Sequence, residues 1–344
     1  MKKIRNYLLL LFYCIVLFTT ACIKQDPVSD PEQSFDVFWN DVNTTYCFFN
    51  YNKVNWDSIY TVYHPQVNPA TTNDQLFQIF QYMLTPLIDG HIALFKSNGQ
   101  EWQNPKHLSY PDYFYSPNVL NYLSGSKVIS TTDNNGSSTP TLWFGNINTT
   151  ILYFNVRTFY NSYPFHKTLD SLLKSSNYKG LILDLRTNYG GSYTTMDSLA
   201  SVFTNTTRPF AYYQSKTGTL PNQFGPLTAY TINHNNSDTV FTNPVVVLTN
   251  RYTASAAERM RLALKILPNV TVVGDTTWGA LGSDITRTLP NGMQFTMAVN
   301  IVYDLNMKIY ESVGIPPDIT VITSPADSAL GKDDMIEKAI QLLQ

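Results

Sequence analysis

From Pro31 onward the apolar positions recur near helical spacing, with Phe35, Phe38, Trp39, Val42, Tyr46 and Phe49 falling toward one side. Asp30-Pro31-Glu32-Gln33, just before them, supplies an N-cap, a proline at the first helical position and a glutamine at the third. A second helix is expected from about Asn73 to Leu87, where Leu76, Phe77, Phe80, Met83, Leu84 and Leu87 share a face. This predicts a small helical amino-terminal domain over 30–96. Periodicity fades between Ser97 and Thr141 among Asn, Ser, Pro and Tyr, so 97–145 reads as an irregular connecting segment.

Strands and helices then alternate. Strands are expected at Ile151–Val156, Gly180–Leu185, Pro244–Leu248 and Val270–Val273, with helices at Pro164–Leu173, Thr195–Phe203 and Ala256–Leu267 between them. The runs Leu181-Ile182-Leu183 and Val245-Val246-Val247-Leu248 are apolar on both faces, as strands covered by helices must be. A hairpin around Asn291-Gly292 joins Thr286–Leu289 to Gln294–Val302, and a helix from Asp334 to Leu343 closes the chain. Residues 146–344 therefore form an α/β core.

Composition narrows the setting more than the fold. The net charge is −2 with 14% charged residues, which leaves no footprint for nucleic acid. At the amino terminus, Lys2, Lys3 and Arg5 precede an apolar run from Tyr7 to Phe18 and the small-residue stretch Thr19-Thr20-Ala21-Cys22. That layout is a secretory signal over 1–21, followed by a tether over 22–29. Cys22 resembles the lipidated cysteine of a bacterial lipobox, although Thr19 stands where leucine is usual. The expectation is a lipid-anchored protein of the cell envelope, on the bacterial outer membrane. With Cys14 in the leader and Cys22 lipidated, only Cys47 remains, and it reads as a core residue rather than half of a disulfide.

Two turns carry candidate chemistry. Strand Pro244–Leu248 leads into Thr253-Ala254-Ser255-Ala256-Ala257-Glu258, placing Ser255 at the carboxyl end of a buried strand and at the start of a helix. Ser255 through Glu258 also spells a capping box, so a plain N-cap is the alternative. The second turn, Asp184-Leu185-Arg186-Thr187-Asn188-Tyr189-Gly190-Gly191, ends another buried strand. Its glycine pair can bring backbone N–H groups close to a ligand, and with the N–H of Ala256 these could form an oxyanion hole; the alternative is a tight turn alone. No Cys/His cluster has metal-ligand spacing and no Gly-x-x-x-x-Gly-Lys-Ser/Thr loop occurs, so neither metal nor cofactor is expected.

With a third turn, Val272-Val273-Gly274-Asp275-Thr276-Thr277-Trp278-Gly279, these segments resemble the serine peptidase family of the carboxyl-terminal processing proteases and the tricorn core. The resemblance implies a crotonase-like or ClpP-like spiral core, a peptide or unfolded-protein substrate, and Ser255 as nucleophile. The processing-protease branch implies a lysine base after the last glycine, where this chain has Ala280; Lys265 and Lys308 do not match that position. The tricorn-like branch instead implies His91 as base, in Asp89-Gly90-His91, and Glu311 as its partner, in Tyr310-Glu311-Ser312-Val313-Gly314. Asp184, Arg186 and Glu258 read as turn supports. Phe95 to Ile151 is too short for a PDZ module. The rival expectations are an inactive binding lipoprotein on the same fold, favoured by Ala280, and a non-catalytic surface adhesin, suggested by the Tyr- and Asn-rich composition.

Overall fold

The computed structural model describes residues 30–104, 116–132, 138–160, 163–234 and 240–344. The leader, the tether and Cys22 lie outside the described residues. Among those described, no helix is long and apolar enough to cross a membrane.

A seven-stranded sheet forms the centre, in the order β14-β10-β9-β6-β5-β4-β3. Strands β5 (Ile151–Val156), β6 (Gly180–Asp184), β9 (Val245–Thr249), β10 (Val270–Gly274) and β14 (Ile319–Thr320) run parallel. Because successive side chains point to opposite faces, the apolar runs divide between two cores. Leu181, Leu183, Val245 and Val247 pack with Leu169, Met196 and Met260, from helices α4 (Phe165–Ser175), α5 (Tyr193–Ala200) and α6 (Ala256–Lys265). Ile182, Val246 and Leu248 pack on the other face with Met335, Ile336 and Ala339 of α7 (Asp334–Leu343). Coverage on both faces is what the continuous apolar runs required.

The stretch expected to be irregular instead holds structure. Strands β3 (Ser124–Thr132) and β4 (Ser138–Asn146) form a hairpin that extends the sheet antiparallel to β5. The outer half of β4 is exposed and most of β3 faces solvent, so neither carries the apolar pattern that marks the central strands.

The helical amino-terminal region is present, as α1 (Pro31–Thr45), α2 (Trp56–Tyr63) and α3 (Asn73–Leu84), but it does not close a core alone. Its aromatic stripe packs on a four-stranded sheet built from β1 (Ala93–Phe95), β2 (Glu101–Gln103), β11 (Asp284–Thr288) and β12 (Gln294–Ala298). Phe38 stacks on Phe80 at 4.0 Å between centroids and meets Phe295 edge-on at 5.0 Å. This layer locks the segment after α3, which carries His91, against strands from the distant end of the chain. Several boundaries differ from expectation, and two of the differences have a local cause. α3 stops at Leu84 rather than Leu87: Thr85 keeps helical backbone as the C-cap, with φ −54° and ψ −35°, but Pro86 after it has no N–H to donate to the ladder. The strand expected to run to Val302 breaks at Val299, whose N–H bonds Ser283. Beyond the break, β13 (Asn300–Asp304) joins a separate sheet with β7 (Arg208–Ser215) and β8 (Thr228–Ile232).

Candidate active site

The carboxyl ends of β6 and β9 lie side by side, and the turns that follow them are tied together. Ala254 N–H donates to the carbonyl of Asn188 at 3.0 Å, and Thr253 Oγ1 to that of Leu185 at 3.0 Å. Ser255 sits at the second turn with φ +54° and ψ −119°, a conformation costly for a non-glycine residue and held only where the surroundings over-determine it. What holds it is Glu258. This fully buried carboxylate accepts from Ser255 N–H at 3.1 Å, Ala280 N–H at 2.8 Å, Gly279 N–H at 2.8 Å and Thr277 Oγ1 at 2.5 Å. Burial pushes its pKa up to about 7 against those hydrogen bonds. The capping-box pairing of Ser255 with Glu258 is present, and Glu258 N–H donates to the Ser255 carbonyl at 2.9 Å. The capping alternative therefore describes the start of this helix, and it does not prevent the hydroxyl from meeting a second side chain.

That hydroxyl meets His91, whose Nε2 lies 3.4 Å from Ser255 Oγ. His91 reaches it from a short turn between α3 and β1, where Asp89 Oδ1 accepts His91 N–H at 2.8 Å and Asp89 Oδ2 accepts Ala298 N–H at 3.2 Å. Thr296 Oγ1 donates to the carbonyl of His91 at 2.6 Å. Behind the ring, donor atoms of Asp89, His91 and Glu311 lie within 4.8 Å of one another. Glu311 is buried, with Oε2 accepting from Leu281 N–H at 3.1 Å and Oε1 without a hydrogen-bond partner among the described residues. His91 Nδ1 is likewise buried and unpaired, 3.7 Å from Asp89 Oδ1. Burial pushes both carboxyls upward; for Glu311 the neighbouring Asp89 and Glu258 add to it, whereas for Asp89 the His91 charge opposes it.

The glycine pair has the conformations expected of it, φ +104° at Gly190 and +125° at Gly191. A Cβ on Gly190 would come within 2.7 Å of the Ser255 Cβ, and one on Gly191 within 2.2 Å of Tyr160 N. The close approach of this turn to the serine therefore requires glycine at both positions. One assignment changes. Gly190 N–H is already taken by Asn188 Oδ1 at 2.9 Å, which closes an Asx turn that sequence reading did not foresee. Among the described residues the N–H groups of Gly191 and Ala256 carry no such bond, so the free donors are these two.

The geometry agrees with comparison to known proteins. The chain matches the model of peptidase family S41 over residues 150–321, half its length, and that of the tricorn protease C1 domain over residues 27–85. The chain belongs to peptidase family S41. A solved structure of a candidate peptidase from Parabacteroides merdae superposes with a TM-score of 0.80 at 31% identity, covering 92% of this chain and 97% of that one. The nisin-resistance protein of Lactococcus lactis subsp. lactis is 29% identical over 158 residues, 44% of this chain and 49% of its own. Tricorn protease of Thermoplasma acidophilum is 27% identical over 176 residues, 50% of this chain and 15% of its own. The match thus spans about half of the nisin-resistance protein and a small part of tricorn.

Within this S41 chain, Ser255, His91 and Ala280 line one cleft of about 370 Å3, together with Gly191, Tyr189 and Trp278. Among the described residues, no lysine lines it. Lys265 pairs with Asp318 at 2.5 Å and Lys308 lies over the ring of Tyr310. The expected supports are found in place: Arg186, fully buried, bridges Asp184 at 2.7 Å and Asp333 at 2.8 Å, pinning α7 beneath the first turn. Two side chains at the site went unassigned in the sequence. Asp89 was visible in Asp89-Gly90-His91 as a motif, without a role; Tyr193, whose hydroxyl lies 3.5 Å from Ser255 Oγ, carried no signal.

Proposed function

We propose that this chain is an exported serine peptidase with a Ser255/His91/Glu311 catalytic arrangement, anchored in the bacterial outer membrane through lipidated Cys22. The observation that carries the reading is the 3.4 Å approach of His91 Nε2 to Ser255 Oγ, made by residues 164 positions apart. Ser255 Oγ attacks the peptide carbonyl carbon while His91 Nε2 takes its proton. The oxyanion that forms is received by the N–H groups of Gly191 and Ala256. His91 then gives the proton to the leaving amine, and water repeats the sequence on the acyl-enzyme. Glu311, with Asp89 beside it, stabilises the imidazolium and holds the ring. The substrate is a peptide or unfolded protein.

The rival is a binding lipoprotein without catalysis, for which Ala280, at the position of the processing proteases' lysine, is the supporting observation. The 3.4 Å Ser–His contact supports histidine as the base which that argument finds missing. One experiment addresses enzyme and anchor together, the labelling of cell fractions with a fluorophosphonate probe. Labelling at Ser255 in the membrane fraction, abolished by Ser255→Ala and moved to the soluble fraction by Cys22→Ser, is the expected result. An unlabelled, folded wild-type protein would establish the binding reading, and a labelled band that stays on the membrane in Cys22→Ser would refute the anchor.

A further inference from the structure

Tyr193 opens α5, two residues beyond the glycine pair. Its ring is clamped. The guanidinium carbon of Arg259 lies 3.6 Å from the ring centroid and 4.4 Å from that of Tyr230. Arg259 is itself fixed, donating through Nε and Nη2 to the carbonyl of Leu281 at 3.0 and 2.8 Å and through Nη2 to Ser283 Oγ at 3.1 Å. The phenol has little freedom to move; its oxygen has the Ser283 side chain as a hydrogen-bonding neighbour and sits between two others, the Gly282 carbonyl at 3.2 Å and Ser255 Oγ at 3.5 Å.

These two neighbours change rank during the proposed reaction, on whose Ser/His reading this inference rests. In the resting site the Gly282 carbonyl is the nearer acceptor, and a carbonyl cannot donate in return. When Oγ begins to attack, or is expelled from the acyl-enzyme, it carries negative charge, and hydrogen bonds to ionised oxygen are shorter and about twice as strong as neutral ones. The phenol proton then has a better partner a small rotation away. His91 holds the opposite role, accepting the serine proton through Nε2. Burial raises the Tyr193 pKa, which keeps the proton in place for donation, while the Arg259 charge opposes that shift and makes the phenol a stronger donor.

We propose that Tyr193 is a further catalytic residue, whose hydroxyl donates a hydrogen bond to Ser255 Oγ as negative charge develops there while His91 holds the proton that Oγ has lost. The phenol keeps its own proton throughout, and no covalent step involves it. Removing an interaction realised only in the transition state lowers kcat and leaves substrate binding nearly unchanged.

The test is Tyr193→Phe, which keeps the ring under Arg259 and removes one oxygen. Active sites are counted with the fluorophosphonate, and rates are expressed per counted site on one chromogenic ester, so unfolded molecules do not enter. The expected result is a roughly 10- to 100-fold fall in kcat with KM changed less than about threefold, and a parallel fall in the rate of labelling. An unchanged rate per site overturns the proposal, including the case where only the number of sites drops, as does a change confined to KM. If wild type is not labelled at Ser255, or His91→Ala is as fast as wild type, the underlying Ser/His reading fails. Wild-type labelling at Ser255 that depends on His91, with an unaffected Tyr193→Phe, removes Tyr193 alone.

Discussion

The two halves of the site are built in opposite ways. On the nucleophile side, hydrogen bonding is saturated: four donors converge on Glu258, Arg186 is bracketed by Asp184 and Asp333, and the two turns are joined through Asn188 and Thr253. On the side that carries His91, His91 Nδ1 and Glu311 Oε1 are buried without a hydrogen-bond partner among the described residues, and Asp89 lies beside them with a side-chain interaction to Glu311. Buried polar groups are nearly always paired, so an unpaired pair at one point wants a cause. Under the proposed function the cause is the transfer of the serine proton to His91, which places an imidazolium beside both carboxyls. On the proposed reading, the side that carries Ser255 uses its polar groups to hold a strained backbone, whereas the side that carries His91 keeps its polar groups for the proton.

The contrast breaks most visibly at Glu258. Glu258→Gln keeps the size of the side chain but turns an NH2 toward two backbone N–H donors, so a loss of about 2–4 kcal/mol in stability is expected, with activity lost alongside. Its pH dependence has a definite sign. The folded-state pKa, about 7, is raised above the ordinary value of 4.5, so between these values the folded protein keeps a proton that the unfolded chain releases. Stability from this group is highest below pH 4.5 and falls as pH rises toward about 7, by roughly 3 kcal/mol at most. Urea melts across that window should show a shallower decline in Glu258→Gln than in wild type. An identical decline in both would mean that Glu258 does not titrate there.

Glu311→Gln sharpens the comparison from the other side. The amide oxygen can still accept from Leu281 N–H, and one of two neighbouring buried carboxyls is gone, so melting should be unchanged or slightly raised. With Asp89 left to hold the ring, kcat should fall on the order of 10- to 100-fold, less than when a lone orienting carboxylate is lost. Lost stability with intact kcat would reverse the assignment of the two sides. The smallest effect belongs to Lys265→Ala. Its ion pair with Asp318 is half exposed, worth about 0–1 kcal/mol, and no change in kcat/KM is expected.

How far the sequence disclosed this depended on whether a residue's neighbours are local. The central strands were legible because Leu181–Leu183 and Val245–Leu248 are covered on both faces and must be apolar throughout. The β3–β4 hairpin was not, since an edge hairpin with most of its side chains in solvent is chemically like a loop. Ser255, His91 and Glu311 were reachable through short motifs, and the structure brings them together. Which N–H groups stay free was not readable, because the Asx turn that occupies Gly190 depends on the conformation Asn188 adopts. Tyr193 was hidden for a different reason: its neighbours, Ser255, Arg259 and Gly282, are supplied by tertiary packing.

The central claim is that histidine, and no lysine, serves Ser255. Its most direct test is the second-order rate of fluorophosphonate labelling at Ser255, measured for wild type, His91→Ala and Lys265→Ala on folded, purified protein. A rate lowered by about 1,000-fold or more in His91→Ala and unchanged in Lys265→Ala is the predicted result. Labelling of His91→Ala at near the wild-type rate, or its loss in a folded Lys265→Ala, would contradict the account.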